Sequence, residues 1–419
     1  MGALVHNRKT CRACASTDLV CSMPMPHVPI VSPNVGTVKG RDGELLAGIT
    51  APLDNYLCRA CGLIQMLNVV DPALVYGNYL YRTAGSLGLA EHFKSLSESV
   101  IARLGLKSND LVVEFGSNDG TLLGFFRKAG MRVQGIDPAD AIAAEATARG
   151  IPTRSDFFTE AVAHEIKAEH GPARAVLANN AMANIDDLGG VLRGVRVLLA
   201  DDGAFVFETQ YALDVLDKFL LDVLYHEHIT CFSVKPVATA FRRHGLALFD
   251  AERIPMKGGS IRFWMQRDDG TRPEAPEVAA LIDLEDQSRL YDPDRHKAFA
   301  DRTAETRAEL HKLIAETRAR GGTVVAYGTS VGCIALIHQL ELQDKLDALF
   351  DDNPFKDRFE GPGYTLPVRH GDDLGAANPG LVILLAWRYA EPIVTRQQAY
   401  LRAGGRIVVP LPTLAELSA

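Results

Sequence analysis

Short apolar runs of strand length alternate with longer amphipathic segments in two stretches of the chain, residues 108–250 and 321–415. Such alternation is typical of parallel-sheet α/β domains, because a helical crossover must separate consecutive parallel strands. A long charged segment, residues 285–320, is predicted to form one helix between the two stretches. The pattern therefore predicts an α/β protein with two Rossmann-like doubly wound domains.

Four of the seven cysteines form two pairs with the same spacing, Cys11-Arg-Ala-Cys14 and Cys58-Arg-Ala-Cys61. Two such pairs supply the four thiolates of a tetrahedral structural zinc site, which leaves no open position for catalysis. The alternatives are reduced buried thiols or a redox pair, and two matched pairs favour one metal. Cys21 is within reach along the chain but is not needed as a ligand, and Cys231 and Cys333 are predicted to be buried.

These patterns divide the chain into four predicted regions. Within the cysteine-containing part, residues 21–55 are rich in Pro and Gly and show few helical periods, as expected where a metal replaces a core. We predict a zinc-binding module at 1–70, a tyrosine-rich connector and helix at 71–107, a cofactor-binding Rossmann-like domain at 108–250, and a substrate-binding Rossmann-like domain at 251–419.

Charge and hydropathy exclude several classes of partner. The 419 residues carry 52 acidic and 44 basic side chains, a net charge of −8, whereas a general nucleic-acid binder would be basic. No uncharged apolar run reaches the length of about 18 residues that a membrane helix needs. Because the first residues also lack the apolar core of a signal peptide, we expect a cytoplasmic protein with no membrane or nucleic-acid partner.

A glycine-containing turn follows the first strand of the 108–250 stretch and indicates a nucleotide-type cofactor. The turn spans Gly116 to Gly120, and a second strand ends at Asp137 and Pro138, where a carboxylate can accept bonds from ribose hydroxyls. Asp119 within the turn would repel a pyrophosphate at the helix start, which favours S-adenosylmethionine (SAM) over NAD. A generic nucleotide-binding domain remains the alternative. The predicted cofactor contacts are Gly116, Asn118, Asp119, Asp137, Pro138, Asp156, Phe157, Asn179 and Gln210. Among these, Asp156 and Phe157 are the candidates to flank an adenine.

The densest group of proton-transfer side chains follows this domain: Tyr225, His226, Glu227 and His228. The spacing is not the H-E-x-x-H of a zinc hydrolase, so no catalytic metal is predicted. Methylation of a carbon next to a ketone requires a base to remove the C–H proton and donors to stabilise the resulting enolate. A histidine with a tyrosine nearby suits that chemistry.

The motifs VVEFGSNDGTLL, GIDPA, SDFF, LANNAMANIDDL, YHEHITCFS and KGGSIRFW stand in this order behind the two cysteine pairs. The chain thereby resembles, over essentially its whole length, the SAM-dependent C-methyltransferases of nucleotide-linked deoxysugars. The resemblance implies methylation of a 4-keto-6-deoxyhexose at C3 through an enolate, structural zinc, a nucleotide-sugar partner and a monomer. It implies His228 as the base, assisted by Glu227 and Tyr225, with Tyr79 or Tyr81 also reaching the site; for those tyrosines the alternative is core packing.

The chain departs from the family pattern in its substrate-binding half. Asn184 and Lys257 stand where relatives have histidines, Arg82-Thr83-Ala84 replaces a double serine, and Val331 lies in a glycine turn that lacks the usual lysine. Lys257 and Arg82 are candidates to neutralise phosphate instead, although both can be ordinary surface charges. A different nucleotide or sugar, or a substrate without a nucleotide, therefore stays open.

The second α/β block contributes the remaining candidates, because ligands bind beyond the carboxyl ends of parallel strands. Tyr327 and Thr329 follow one strand, Asp351 ends the next and Arg388 follows a later one. The predicted substrate contacts are His226, Lys257, Gly259, Ser260, Tyr327, Asp351 and Arg388. The alternatives to a sugar C-methyltransferase are a SAM enzyme acting on another ketone or on O or N, an NAD-linked oxidoreductase, and a zinc-knuckle interaction protein.

Overall fold

The computed structural model describes residues 4–30, 49–76, 82–85, 88–353, 358–361 and 364–418. Tyr79 and Tyr81 lie outside this part of the chain. The chain forms two compact units, each assembled from three stretches: unit 1 comprises Met1–Val20, Tyr56–Leu213 and Glu227–Asp292, and unit 2 comprises Cys21–Asn55, Asp214–His226 and Pro293–Ala419. Each unit joins stretches that are far apart in sequence, whereas each of the four predicted regions is continuous in sequence. The division into those four regions stays a prediction.

Unit 1 is built on a seven-stranded sheet. Its first five strands are mutually parallel and the last two are antiparallel to their neighbours. In spatial order the strands are Thr153–Arg154, Arg132–Ile136, Leu111–Phe115, Ala173–Asn179, Leu199–Gln210, Ser260–Arg267 and Leu246–Ile254. This mainly parallel sheet with helical crossovers, together with the second sheet described below, confirms the predicted α/β class.

Amphipathic helices cover this sheet. In Leu89–Leu104 the buried side chains Leu89, Phe93, Leu96, Val100 and Leu104 recur at the three- and four-residue spacing of one helix face. That face packs on one core with Val112, Leu177 and Trp264 of the sheet. The other α-helices wholly within unit 1 are Pro72–Tyr76, Thr121–Lys128, Asp140–Ala148, Glu160–His170, Leu188–Leu198, Val234–Ala240 and Pro276–Gln287.

Short strands hold the N-terminal part of unit 1. Val5–Asn7 pairs antiparallel with Asn68–Val70, and Ile64–Met66 pairs antiparallel with Thr230–Cys231. The second pairing attaches the segment after Cys61 to the residues that follow His228. Leu19–Met23, Asn55–Cys58 and helix Ala212–Asp217 run across the limits of the two units.

Unit 2 contains a second seven-stranded sheet. Its central strands are parallel and its two edge strands are antiparallel. The strands in spatial order are Arg358–Gly361, Tyr364–His370, Ala348–Asp351, Val324–Tyr327, Leu381–Leu384, Ile407–Val409 and Ala415–Leu417. A separate hairpin pairs His27–Pro29 with Thr50–Pro52. The α-helices of unit 2 are Pro293–Ala319, Val331–Gln339, Leu374–Ala377, Ala390–Arg396 and Gln398–Arg402.

The prediction of one long helix over 285–320 is wrong. The first helix ends at Gln287 and the second begins at Pro293. Proline has no N–H to donate and disfavours helical backbone in the residue before it, and Arg289 adopts a left-handed φ of 54°. In the part of the chain that the structure describes, no helix is long and apolar enough to span a bilayer.

Two buried histidines of unit 2 predict acid sensitivity. His226 and His338 are 3% and 4% exposed, and burial lowers the pKa of each to about 4. Both titrate near pH 6.5 when unfolded, so the unfolded chain binds more protons and stability is lost as the pH falls from about 6.5 toward about 4. Because two more protons are bound by the unfolded chain, the free energy of unfolding should change by about 2.7 kcal/mol per pH unit near pH 5.

Urea unfolding at pH 7, 6 and 5 measures this slope. The variant His338→Gln should lower it by about 1.4 kcal/mol per pH unit, because one proton is no longer taken up on unfolding. The exposed His27→Gln is the matched control in the same unit. An unchanged slope in His338→Gln would contradict the assignment.

Candidate functional site

The predicted cofactor turn joins strand Leu111–Phe115 to helix Thr121–Lys128. Gly116, Asn118 and Gly120 have left-handed backbone, with φ of 65°, 49° and 74°. Asparagine is one of the few other residues that adopts this conformation readily, which explains its place between the glycines. A Cβ on Gly116 would approach the Cβ of Ala181 to 2.8 Å, so only glycine fits there.

Asp137 connects this turn with the end of the second strand. Its carboxylate accepts hydrogen bonds from the backbone N–H of Asn118 at 2.9 Å and of Ala139 at 3.0 Å. Burial raises the pKa of Asp137 despite these two bonds. A carboxylate has about four lone-pair positions, so acceptor capacity remains for the hydroxyls of a ribose.

Two residues of the tyrosine-rich connector, Thr83 and Ala84, pack against the same turn, which the sequence did not indicate. The backbone N–H of Thr83 donates to Asn118 Oδ1 and that of Ala84 to Asp119 Oδ2, both at 2.9 Å. Arg82, considered above for phosphate, instead makes two 2.8 Å bonds to Glu145. This part of the connector thus packs directly against the predicted cofactor turn.

Three buried polar atoms, in the turn or near the carboxyl ends of strands of the same sheet, lack a hydrogen-bond partner within the described ranges: Glu114 Oε2, Ser117 Oγ and Gln210 Nε2. The other Glu114 oxygen lies 3.3 Å from Asn179 Nδ2. Burial, reinforced by Asp137 and Asp119, raises the pKa of Glu114 well above its usual range. Carboxylates gathered at one turn favour a cationic ligand over an anionic one, so the residues present fit SAM, whose ammonium and sulfonium groups are positive.

The predicted adenine contacts lie next to Asp137. The backbone N–H of Asp156 donates to the Asp137 carbonyl at 3.3 Å, and the neighbouring Phe157 ring is 39% exposed. Pro138 directly follows Asp137 at the same strand end. An exposed aromatic ring at this position is available for stacking, and its contact with adenine stays a prediction.

Gln210 and the glycine loop of residues 257–260 meet at the ends of two antiparallel strands. Gln210 is paired in register with Ser260, and the Tyr211 N–H donates to the Gly259 carbonyl at 3.4 Å. Lys257 is exposed and has a left-handed φ of 52°. The structure therefore brings a predicted cofactor residue beside three predicted substrate residues.

The segment 225–228 forms a turn whose four side chains differ in burial. Tyr225 and His228 are half-buried, whereas His226 and Glu227 are each 3% exposed. His226 Nε2 lies 3.2 Å from the Ala51 carbonyl, within unit 2. Tyr225 and His226 belong to unit 2 and Glu227 and His228 to unit 1. Only the first and last members of the segment are partly accessible.

Unit 1 contains a polar cluster that the sequence does not indicate. His92 Nε2 lies 2.6 and 2.9 Å from the Glu208 carboxylate, and Arg262 lies 3.4 Å from the same group. Glu208 is near the end of the strand that finishes at Gln210. A lone histidine in a helix and a glutamate in a strand carry no local signal, so only their meeting in space reveals the cluster.

The four predicted metal ligands come together in unit 1. The Sγ atoms of Cys11, Cys14, Cys58 and Cys61 all lie within 4.8 Å of one another. Cys11 and Cys61 are 3.7 Å apart and Cys14 and Cys58 are 3.6 Å apart. A tetrahedron of sulfurs with zinc–sulfur bonds of about 2.3 Å has edges of about 3.8 Å. The donor set thus fits a tetrahedral metal ion. Cys21 is exposed and is not part of this group.

In unit 2 the predicted substrate residues already have protein partners. Tyr327 is 2% exposed and its hydroxyl donates to Asp352 at 2.6 Å. Asp351 accepts from the Thr329 N–H at 2.8 Å and from its hydroxyl. Arg388 makes two bonds to Asp222, one of them at 3.0 Å. A phosphate bound by Arg388 would have to compete with Asp222 for the guanidinium, or share the guanidinium with it.

Comparisons with known proteins cover the whole chain. A family described as "Methyltransferase domain" matches residues 89–250, and one described as "C-methyltransferase C-terminal domain" matches residues 255–412. C-methyltransferase NovU of Streptomyces niveus is 33% identical over 420 residues, which cover 100% of this chain and 99% of NovU.

Solved structures match a smaller share. Magnesium protoporphyrin IX methyltransferase (ChlM) of Synechocystis with bound SAH is 14% identical, covering 43% of this chain and 84% of its own, with a TM-score of 0.34. The PH0226 protein of Pyrococcus horikoshii is 12% identical, covering 45% of this chain and 94% of its own, with a TM-score of 0.36.

Proposed function

Because this chain belongs to the SAM-dependent C-methyltransferase family, we propose that it methylates C3 of a nucleotide-linked 4-keto-6-deoxyhexose, with His228 as general base. Membership confirms the family resemblance carried by the motifs and favours SAM over the NAD-linked alternative. The observation that carries the proposal is the match to C-methyltransferase NovU across the entire chain.

The reacting carbon defines what the residues must do. When bound, SAM supplies an electrophilic methyl group. His228, half-buried and at the end of the turn, accepts the C3 proton; the C3–H bond breaks and its electron pair enters the enolate with the C4 carbonyl. The Tyr225 hydroxyl is the proposed donor to the enolate oxygen. The buried Glu227 is proposed to assist His228.

Cofactor and metal are held by separate sets of residues. We assign Gly116, Asn118, Asp119 and Asp137 to the SAM turn, with Asn179, Gln210, Pro138, Asp156 and Phe157 around it. The four-cysteine group is proposed to hold zinc in a purely structural role, since all four positions are filled by protein.

A nucleotide sugar is the proposed substrate, and a titration tests it. Protein saturated with SAH is titrated calorimetrically with dTDP, UDP, GDP and CDP. Selective binding of one diphosphate names the carrier. The corresponding 4-keto-6-deoxyhexose is then incubated with ¹³C-methyl SAM, and NMR should show the new methyl carbon bonded to C3.

Lys257→Ala is the matched variant for this titration, because the exposed lysine is the proposed phosphate contact in the glycine loop. It should weaken diphosphate binding while SAH affinity stays unchanged. SAH binding with no response to any diphosphate would place the substrate outside nucleotide sugars, and a methyl group on oxygen or nitrogen would rule out C-methylation.

A further inference from the structure

Arg12 lies between the two cysteines of the first pair, yet its side chain is directed into unit 1. The guanidinium is wholly buried and donates to the Ile229 carbonyl at 2.7 Å and to the Met66 carbonyl at 2.8 Å. It also lies 3.4 Å from Asp186.

Three partners of the Arg12 guanidinium belong to separate segments of unit 1, and a fourth, Gln65, lies next to Met66. Met66 follows the second cysteine pair, Asp186 lies just before helix Leu188–Leu198, and Ile229 is the residue next to His228. The Ile229 carbonyl accepts a second bond from the Met66 N–H at 2.9 Å. The Arg12 backbone N–H donates to Gln65 Oε1, and Gln65 pairs with Thr230. The cysteine group is thus connected to the segment after His228 through both side chain and backbone.

We propose that Arg12 is a positioning residue that fixes the backbone at Ile229 and thereby sets the orientation of His228 for proton abstraction. This inference rests on the proposed role of His228. A planar guanidinium can bond two carbonyls at fixed angles, which a lysine ammonium on a flexible stem does not reproduce. Arg12 lies between Cys11 and Cys14, so a metal ion bound by both cysteines would restrict the backbone of Arg12.

Hydrogen exchange tests the inference without substrate. In the zinc-loaded full chain saturated with SAH, Arg12→Met and Arg12→Lys should speed amide exchange in a peptide covering residues 225–233. Arg8→Met is the matched control, because Arg8 bonds the same Asp186 at 2.9 Å and its side-chain hydrogen bonds within the described residues go to Thr10 and Asp186 rather than to Ile229. Zinc content and SAH affinity should be unchanged in all three variants.

Kinetics with the ketosugar nucleotide selected by the titration complete the test. Both Arg12 variants should lower kcat about 10- to 100-fold with little change in KM, the effect expected from a small displacement of a reacting group. The double variant Arg12→Met/His228→Ala should be no slower than His228→Ala alone, since one acts through the other. Arg8→Met should turn over near the wild-type rate.

The two proposals can fail separately. If His228→Ala is slow but both Arg12 variants keep wild-type kcat and exchange, the positioning role is overturned and the base assignment stands. If His228→Ala itself turns over normally, the base assignment fails. Loss of zinc or of SAH binding in Arg12→Lys would also overturn the inference, because the residue would then be a general structural support. Should Arg12→Met not fold, Arg12→Lys decides.

Discussion

Replacing His228 with alanine should reduce kcat by about 10² to 10⁴-fold, the contribution typical of a general base. The imidazole is half-buried at the end of the turn 225–228, next to the strand Thr230–Cys231 that fixes the following backbone. KM and SAH affinity should change little, because the side chain acts on the proton and is not assigned to the cofactor turn. Steady-state turnover with the selected ketosugar nucleotide measures the effect.

Exchange of the C3 proton separates the base from methyl transfer. In D₂O with SAH in place of SAM, the wild-type protein should exchange the C3 hydrogen of the substrate for deuterium, observed by NMR. His228→Ala should abolish this exchange, and His164→Ala, an exposed histidine on helix Glu160–His170, should leave it intact. Exchange at the wild-type rate in His228→Ala would show that another group removes the proton.

The substitution Cys58→Ser should remove zinc and destabilise unit 1. Cys58 is fully buried, and its Sγ lies 3.6 Å from that of Cys14. Four thiolates give a structural zinc ion an apparent binding free energy on the order of 10 kcal/mol, which becomes folding free energy where the site forms only in the folded chain. The zinc content measured by elemental analysis should fall from about one zinc per chain to well below that, and thermal unfolding should begin at a lower temperature.

Cys21→Ser is the matched control for this prediction, because Cys21 is exposed and outside the four-cysteine group. It should keep both zinc content and stability. Wild-type protein expressed with zinc that contains none would contradict the metal assignment. A zinc-free Cys58→Ser with unchanged unfolding would contradict the structural role.

Features carried by local sequence could be predicted well. The strand, glycine turn and helix around Gly116 could be predicted from consecutive residues, because left-handed backbone favours Gly or Asn there. The cysteine pairs were equally legible, because a metal needs four donors whatever the intervening chain does. The helix break before Pro293 also has a local cause, because proline disfavours helical backbone in the residue before it, whereas the charged composition of residues 285–320 does not mark the break.

Side-chain partners across long sequence distances could not be predicted. Glu208 with His92, and Arg388 with Asp222, are pairs separated by 116 and 166 residues, and either partner alone is an ordinary polar residue. The pairing of Arg388 changes its chemistry, because a guanidinium already bonded to a carboxylate is a weaker candidate for phosphate.

The sequence by itself determined the α/β class, the family and the residue types of the cofactor turn and the cysteine group, because backbone conformation and donor chemistry depend on neighbouring residues. Only the tertiary structure decided which residues surround them: that Thr83 and Ala84 bond the predicted cofactor turn, that Glu114 is buried against Asn179, and that Arg12 reaches Ile229. Those contacts depend on which strands pair and which surfaces are buried, and burial is a property of the folded chain as a whole.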